Sequence, residues 1–357
     1  MEKPCFIIAE AGVNHNGDLG LARKLIFAAA AAGADAVKFQ SFRASDLASQ
    51  SAPKAGYQLE TTSQSESQFE MLKRLELTEK MHFELIEECK KQNIEFMSST
   101  FGESDLLFLT RTLKQKTIKI PSGEITNGPL LLKVARENVD IILSTGMCFL
   151  GEVEEALKLL AFGYLNSKDI PSKTNMNEAY LSQAGQTHLK NRVKLLHCTT
   201  EYPAPFDQVN LRVMETFRNC FGLVVGFSDH TPGISIPIAA VALGAKVIEK
   251  HFTLDRNLPG PDHKASLEPL ELKQMIKSIR EVEVALGGTV KAPVPAEFEY
   301  RKLVRKSLVT KTSIKKGENF SEQSLTSKRP GEGISPMQYW DILGTSSDRD
   351  YDPDQQI

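Results

Sequence analysis

The chain lacks most of the features that would take it out of the ordinary globular class. No apolar run approaches the roughly 20 residues a membrane-spanning helix requires, and no signal-peptide pattern precedes the first strand-like segment. The five cysteines, Cys5, Cys89, Cys148, Cys198 and Cys220, contain no CxxC pair and no paired spacing. That argues for reduced thiols rather than a disulfide framework, and the chain reads as soluble and cytoplasmic. A formal net charge of -2 leaves no basic balance for a nucleic-acid surface. A dinucleotide fingerprint is missing too: Glu10-Ala11-Gly12-Val13-Asn14-His15 stands where the glycine-rich turn would be. What remains is 357 residues of average composition, enough for one large core and a small second domain.

Short apolar runs recur with helical patterns between them. They predict strands at 6–9, 34–39, 94–98, 117–120, 140–143, 193–196, 223–227 and 245–248. Helices are expected at 19–32, stopped by Gly33, then at 104–113, 130–136, 152–160 and 234–244, with a last one from about Ser266. Met81, Leu85, Ile86 and Cys89 add another by their spacing. Eight strand-helix units in the first 288 residues fit an α/β fold of the (β/α)8 barrel type better than a doubly wound sheet. Two polar stretches interrupt the rhythm, a loop at 43–68 and an insertion at 166–191. After Gly288, Ala292-Pro293-Val294-Pro295 reads as a linker, and the remainder as a compact β-rich or mixed appendage.

In such a barrel the carboxyl ends of the strands converge on one mouth. Here those ends carry Glu10, Lys38, Gln40, Ser98, Ser99, Lys119, Ser122, Glu124, Ser144, Thr145, Thr200, Tyr202, Ser228, His230, Glu249 and His251. Burying so many polar groups costs free energy unless they bind something. Lys38, Lys119 and the hydroxyls suit a phosphate or carboxylate. His230 and His251 suit a divalent metal such as Mn²⁺, Zn²⁺ or Co²⁺. Glu10 and Glu124 are candidates for acid-base work, one of them alternatively for accepting from sugar hydroxyls. An inward lysine forming a Schiff base is the competing chemistry.

The motifs resemble those of the sialic acid (N-acetylneuraminate) synthases and their legionaminate and pseudaminate relatives. They run from Ala9-Glu10-Ala11-Gly12-Val13-Asn14-His15-Asn16-Gly17 through Val37-Lys38-Phe39-Gln40, Lys119-Ile120-Pro121-Ser122-Gly123-Glu124 and Ser144-Thr145-Gly146-Met147. His197-Cys198-Thr199-Thr200-Glu201-Tyr202-Pro203, Ser228-Asp229-His230-Thr231, Glu249-Lys250-His251 and Gly260-Pro261-Asp262-His263 follow in the same order. Lys328-Arg329-Pro330-Gly331-Glu332-Gly333 extends the match into the appendage. Ser99-Thr100-Phe101 departs from the usual Thr-Pro-Phe but keeps a hydroxyl.

The resemblance implies a synthase that condenses phosphoenolpyruvate with an N-acetylated amino-hexose and water, releasing phosphate. The acceptor is either N-acetylmannosamine or a 2,4-diacetamido-2,4,6-trideoxy-mannose. It also implies a barrel domain at 1–288, a linker at 289–300, an antifreeze-like (SAF) domain at 301–350 and a tail at 351–357. A swapped homodimer would let each small domain cap the partner's barrel. Carried over by motif, His230 and His251 hold the metal, manganese ahead of magnesium or cobalt, and Glu10 handles the attacking water. Lys38, Ser99, Lys119, Ser122, Thr200 and Ser228 hold phosphoenolpyruvate. Gln40, Glu124, Tyr202 and Asp262 face the sugar, with Arg329 reaching in from the other subunit. Two other readings stay open: a different phosphoenolpyruvate-dependent keto-deoxy sugar acid synthase, and a glycan-binding protein without catalysis.

Overall fold

The computed structural model describes residues 3–54, 56–62, 66–165 and 168–357. Residues 55 and 63–65 of the loop at 43–68, and 166 and 167 at the start of the insertion, lie outside the described residues. The chain divides into two units, Met1–Gly287 and Gly288–Ile357.

In the first unit eight parallel strands close into a barrel in chain order. They are β1 Phe6–Gly12, β2 Ala36–Ser41, β3 Glu95–Thr100, β4 Thr117–Ile120, β5 Asp140–Ser144, β6 Val193–Cys198, β7 Val224–Asp229 and β8 Val247–His251. Closure comes from β1 pairing with β8, which sets Glu10 opposite His251. Side chains alternate across each strand. Ile7, Val37, Ile118, Ile141, Leu195, Phe227 and Ile248 point outward into the core shared with the helices. Ile8, Ala36, Met97, Ile142, Leu196 and Val247 form a separate apolar layer inside the barrel. Two residues further along the same strands stand Glu10, Lys38, Ser99, Ser144, Cys198 and Glu249, which line a cavity at the carboxyl end. One step of the pleat therefore turns the barrel interior from hydrocarbon to ionisable groups.

The other face of the same alternation carries an ion pair. Asp229 and Lys250 are register partners on β7 and β8, and their fully buried side chains meet at 2.6 Å. They alternate with Ser228, His230, Glu249 and His251, so the pair lies behind the cavity wall.

Several elements differ from their sequence expectation. β1 runs past Glu10 to Gly12 through a bulge, and Gly12 takes a left-handed φ of 53° there. The helix expected at 104–113 is α-helical over Glu103–Leu107 and then widens into a π-turn at Phe108–Thr112. A helix at Val213–Phe221, which the sequence reading leaves out, fills the gap between β6 and β7. The last barrel helix starts at Pro269 rather than near Ser266, because Glu268 and Glu271 form the capping box. The loop at 43–68 holds short helices at Ala44–Leu47 and Gly56–Thr61. The insertion becomes two helices, Lys173–Leu181 and Gln183–Arg192, packed on Leu150–Leu165. Tyr164 anchors them, stacking on His188 at 5.7 Å and donating to the Val139 carbonyl.

The small unit is built on two antiparallel strands, β9 Ser307–Thr310 and β10 Leu325–Lys328. Its core is Ile314, Phe320, Leu325 and Tyr351. The expected linker at 289–300 contains the start of a helix, Pro295–Val304, with Pro295 at its first turn. The expected tail at 351–357 is part of the fold: Tyr351 is buried and bridges to Ile314, and Gln356 bridges to Val309. Among the described residues no helix is long and apolar enough to cross a membrane.

Candidate active site

Four charged groups occupy the polar layer. The Lys38 ammonium lies 2.7 Å from Glu10 and 3.6 Å from Glu249, all three side chains being at most 6% exposed. Lys119 lies 3.7 Å from the other oxygen of Glu249 and donates to Ser144 at 2.7 Å. Ser228 donates to Glu249 at 2.8 Å, and Lys38 donates to Ser99 at 2.9 Å. Glu249 thus bridges two lysines that come from opposite sides of β3.

The two carboxylates have opposite electrostatics. Burial pushes Glu10 up, and the Glu249 charge adds to this against the pull of Lys38, so it sits at about 7. Burial also opposes charge on Glu249, but Lys119, Lys38 and the Ser228 hydroxyl outweigh it and hold it down at about 2. A pair of carboxyls split in this way is the usual mark of an acid-base site. Burial lowers Lys119 from its ordinary value, whereas the two carboxylates raise Lys38 despite its burial. Two ammonium groups beside one firmly ionised carboxylate leave a net positive charge whenever Glu10 is protonated. Such a cavity suits an anion.

At the rim, His230 and His251 face each other with ring centroids 5.4 Å apart, and the Tyr202 ring packs tilted against His230 at 4.1 Å. His230 Nδ1 donates to the Thr199 carbonyl at 2.7 Å, which leaves Nε2 with its lone pair. Burial, with His230 and Lys38 nearby, holds His251 well below its ordinary value and therefore neutral. Its Nδ1 is buried without a hydrogen-bond partner, 4.0 Å from an Asp262 carboxylate that burial raises to about 6. Against its burial, Cys198, the Thr199 carbonyl and Asp229 raise His230 above its ordinary value, so a divalent cation binding both rings would displace a proton there. Among the described residues no three His, Cys, Asp or Glu side chains cluster as a ligand set. The protein donors would be these two rings, with water and substrate supplying the rest.

Turn chemistry places the remaining groups. Ser122 accepts from the Gly146 N–H at 2.9 Å. A Cβ on Gly146 would stand 2.1 Å from Thr200 Oγ1 and 2.8 Å from Ser122 Oγ. The glycine lets three loops meet. Gln40 donates to Glu10 at 3.3 Å.

Of the residues singled out from sequence, Glu10, Lys38, Gln40, Ser99, Lys119, Ser122, Thr200, Tyr202, Ser228, His230 and His251 line one cavity. Asp262 stands beside His251. Glu124 lies on the short helical turn after β4, accepts from Asn127 at 2.7 Å and is absent from the cavity lining. Arg329 follows β10 in the small unit, where it is exposed. Glu249, the charge bridge, is the group sequence reasoning left without a role. Its signal was the two-residue spacing from Glu249 to His251, which puts both on the inward face.

Fold and mouth together define a (β/α)8 enzyme with a cationic anion site beside a pair of histidines. Residues 25–291 match the NeuB family. Over 355 residues the chain is 52% identical to N,N'-diacetyllegionaminic acid synthase of Campylobacter jejuni, covering 99% of both chains. It is 46% identical to the synthase of the same name from Legionella pneumophila, over 96% of this chain and 90% of that one. A crystal structure of N-acetylneuraminic acid (sialic acid) synthetase from Leptospira borgpetersenii is similar at a TM-score of 0.67 and 32% identity, covering 84% and 92% of the two chains. The chain belongs to the NeuB family.

Proposed function

We propose that this enzyme condenses phosphoenolpyruvate with 2,4-diacetamido-2,4,6-trideoxy-mannose and water to give N,N'-diacetyllegionaminate and phosphate. The observation that carries the reaction is the split carboxylate pair between Lys38 and Lys119 beneath two facing histidines. The acceptor is favoured over N-acetylmannosamine by the 52% identity to a diacetyllegionaminic acid synthase along the whole chain.

Lys38 and Lys119 meet the anionic groups of phosphoenolpyruvate, with Ser99, Ser122, Thr200 and Ser228 as hydroxyl donors. Fixed in advance, these donors stabilise charge as it shifts without reorganising. The enol carbon attacks the open-chain sugar aldehyde and leaves an oxocarbenium-like carbon, to which water adds as Glu10 takes its proton. The C–O bond to phosphate then breaks. When bound between His230 and His251, a divalent cation, manganese ahead of magnesium or cobalt, supplies Lewis acidity toward the aldehyde oxygen. Gln40, Tyr202 and Asp262 hold the sugar, and Glu124 and Arg329 belong to the same proposal as outer contacts.

A swapped homodimer with antifreeze-like small domains is part of this reading. Large apolar side chains stay exposed on each unit, among them Phe149 at 82% and Trp340 at 73%. Light scattering on the full chain is expected to give twice the monomer mass. Cytoplasmic location is supported by five free cysteines.

Phosphate release from phosphoenolpyruvate with Mn²⁺ tests the function. The diacetamido sugar is expected to support turnover that EDTA abolishes, with kcat/KM at least about 100-fold above that for N-acetylmannosamine. Preference for N-acetylmannosamine would overturn the acceptor, and release with neither sugar would overturn the reaction. Gly146→Ala provides a second check, since its new methyl displaces both Thr200 and Ser122. A shift of this size is expected to lower kcat/KM by about 100-fold with little change in thermal stability.

A further inference from the structure

Two conspicuous segments, Asn14-His15-Asn16-Gly17 and Gly260-Pro261-Asp262-His263, contribute nothing to the cavity lining. The fold instead bonds them to each other. Asn14 is buried just past β1, and its amide nitrogen donates to the Phe252 carbonyl and to the Ser266 hydroxyl, both at 2.9 Å. Ser266 relays the contact by donating to the backbone carbonyl of Asp262 at 2.6 Å. Asn16 donates to the Pro259 carbonyl at 2.8 Å. Its own amide oxygen accepts from His263 Nε2 at 3.2 Å, which leaves His263 Nδ1 to accept the Thr253 hydroxyl at 2.6 Å.

Orientation here is one-sided. Asn14 Oδ1 is buried without a partner, so turning the amide over would exchange two good hydrogen bonds for two donors with nothing to meet. Steric fit adds to this: a Cβ on Gly260 would lie 2.7 Å from Asn16 Oδ1 and 2.8 Å from the His263 ring. The loop after β8 is thereby pressed onto the loop after β1 at Phe252, Pro259, His263 and Ser266. Asp262 lies between these ties, with its carboxylate 4.0 Å from His251 Nδ1.

We propose that Asn14 and Ser266 are positioning residues, a clamp between the loops after β1 and β8 that fixes the Asp262 carboxylate beside His251. The clamp acts on the acceptor sugar through Asp262 and not on phosphoenolpyruvate, whose contacts come from other strands. This rests on the assignment of Asp262 to the sugar.

The test compares Asn14→Ala, Ser266→Ala, Asp262→Ala and the double variant Asn14→Ala/Asp262→Ala in steady-state assays with the diacetamido sugar. Either clamp variant is expected to raise KM for the sugar by about 10- to 100-fold while KM for phosphoenolpyruvate stays within about twofold. The double variant is expected to be no worse than Asp262→Ala alone; additive losses would overturn the clamp. Ser266→Ala removes the relay while keeping the Asn14 bond to Phe252, and so covers the case in which Asn14→Ala folds poorly. Amide hydrogen exchange decides the matter without turnover. In either clamp variant, exchange should quicken across residues 253–266 and stay unchanged in the strands; unchanged exchange in that segment overturns the proposal. If Asp262→Ala leaves KM for the sugar unaltered, the assignment of Asp262 fails, and the exchange result still decides the clamp.

Discussion

Replacing Glu249 with alanine is expected to lower the unfolding free energy by about 3–5 kcal/mol, because it leaves the buried Lys119 ammonium without its carboxylate and removes one of two from Lys38. Lys38 would keep Glu10, but the hydrogen-bond partners left to Lys119 would be neutral, Ser144 and the Ile120 carbonyl. Chemical denaturation at neutral pH measures the loss. The sign of the pH dependence follows from Glu249 being held at about 2 against an ordinary 4.5. Its stabilising contribution is fully present above pH 4.5 and disappears as pH falls toward 2. The variant should therefore lose less stability than the parent over that interval. Added phosphate should raise the midpoint of the variant more than that of the parent, since an anion replaces the missing charge. Equal stability of variant and parent would mean the lysines are neutralised some other way.

Glu10→Gln is expected to lower kcat by about 10²–10⁴-fold while leaving the fold intact, since the amide is isosteric but cannot take a proton from water. Burial places Glu10 at about 7, and only the carboxylate form serves as base. The kcat/KM of the parent should consequently rise with pH up to about 7 and level off above it. The limb should vanish from the residual activity of the variant. Asp262, at about 6, is the other carboxyl near enough to shape that limb, and an Asp262→Asn profile separates the two. A limb that survives in Glu10→Gln would remove Glu10 from the role of base.

Much of this site could be read from the chain alone because a barrel converts strand order into proximity. Once eight strands are recognised, the residues two positions beyond each inward apolar one must meet at the mouth. The pairing of Glu249 with Lys119 was not legible, as it needs the strand register around the closed barrel and not just the order. Glu124 shows a different limit. It stands two residues from Ser122, a spacing that shares a face on a strand but not on the short helical turn that forms there. The helix at Val213–Phe221 is short and carries no capping side chain, so no local signal marks where it begins. The helix at Pro295–Val304 hides in a proline-rich stretch that reads as a linker until Pro295 is seen at its first turn. The ties from Asn14 to Ser266 span 252 residues, and nothing local announces them.

The buried pair of Asp229 and Lys250 bears on how such an enzyme changes over time. It fixes the height of β7 against β8 from outside the barrel, so the register does not depend on any side chain that touches substrate. A one-residue slip of β7 would turn Asp229 into the mouth and His230 out of it, and a slip of β8 would do the same with Lys250 and His251. With that slip resisted from behind, rim positions outside the charged layer can vary without disturbing the register. Descendants can trade acceptor specificity by point substitution at the mouth, keeping the same scaffold beneath it.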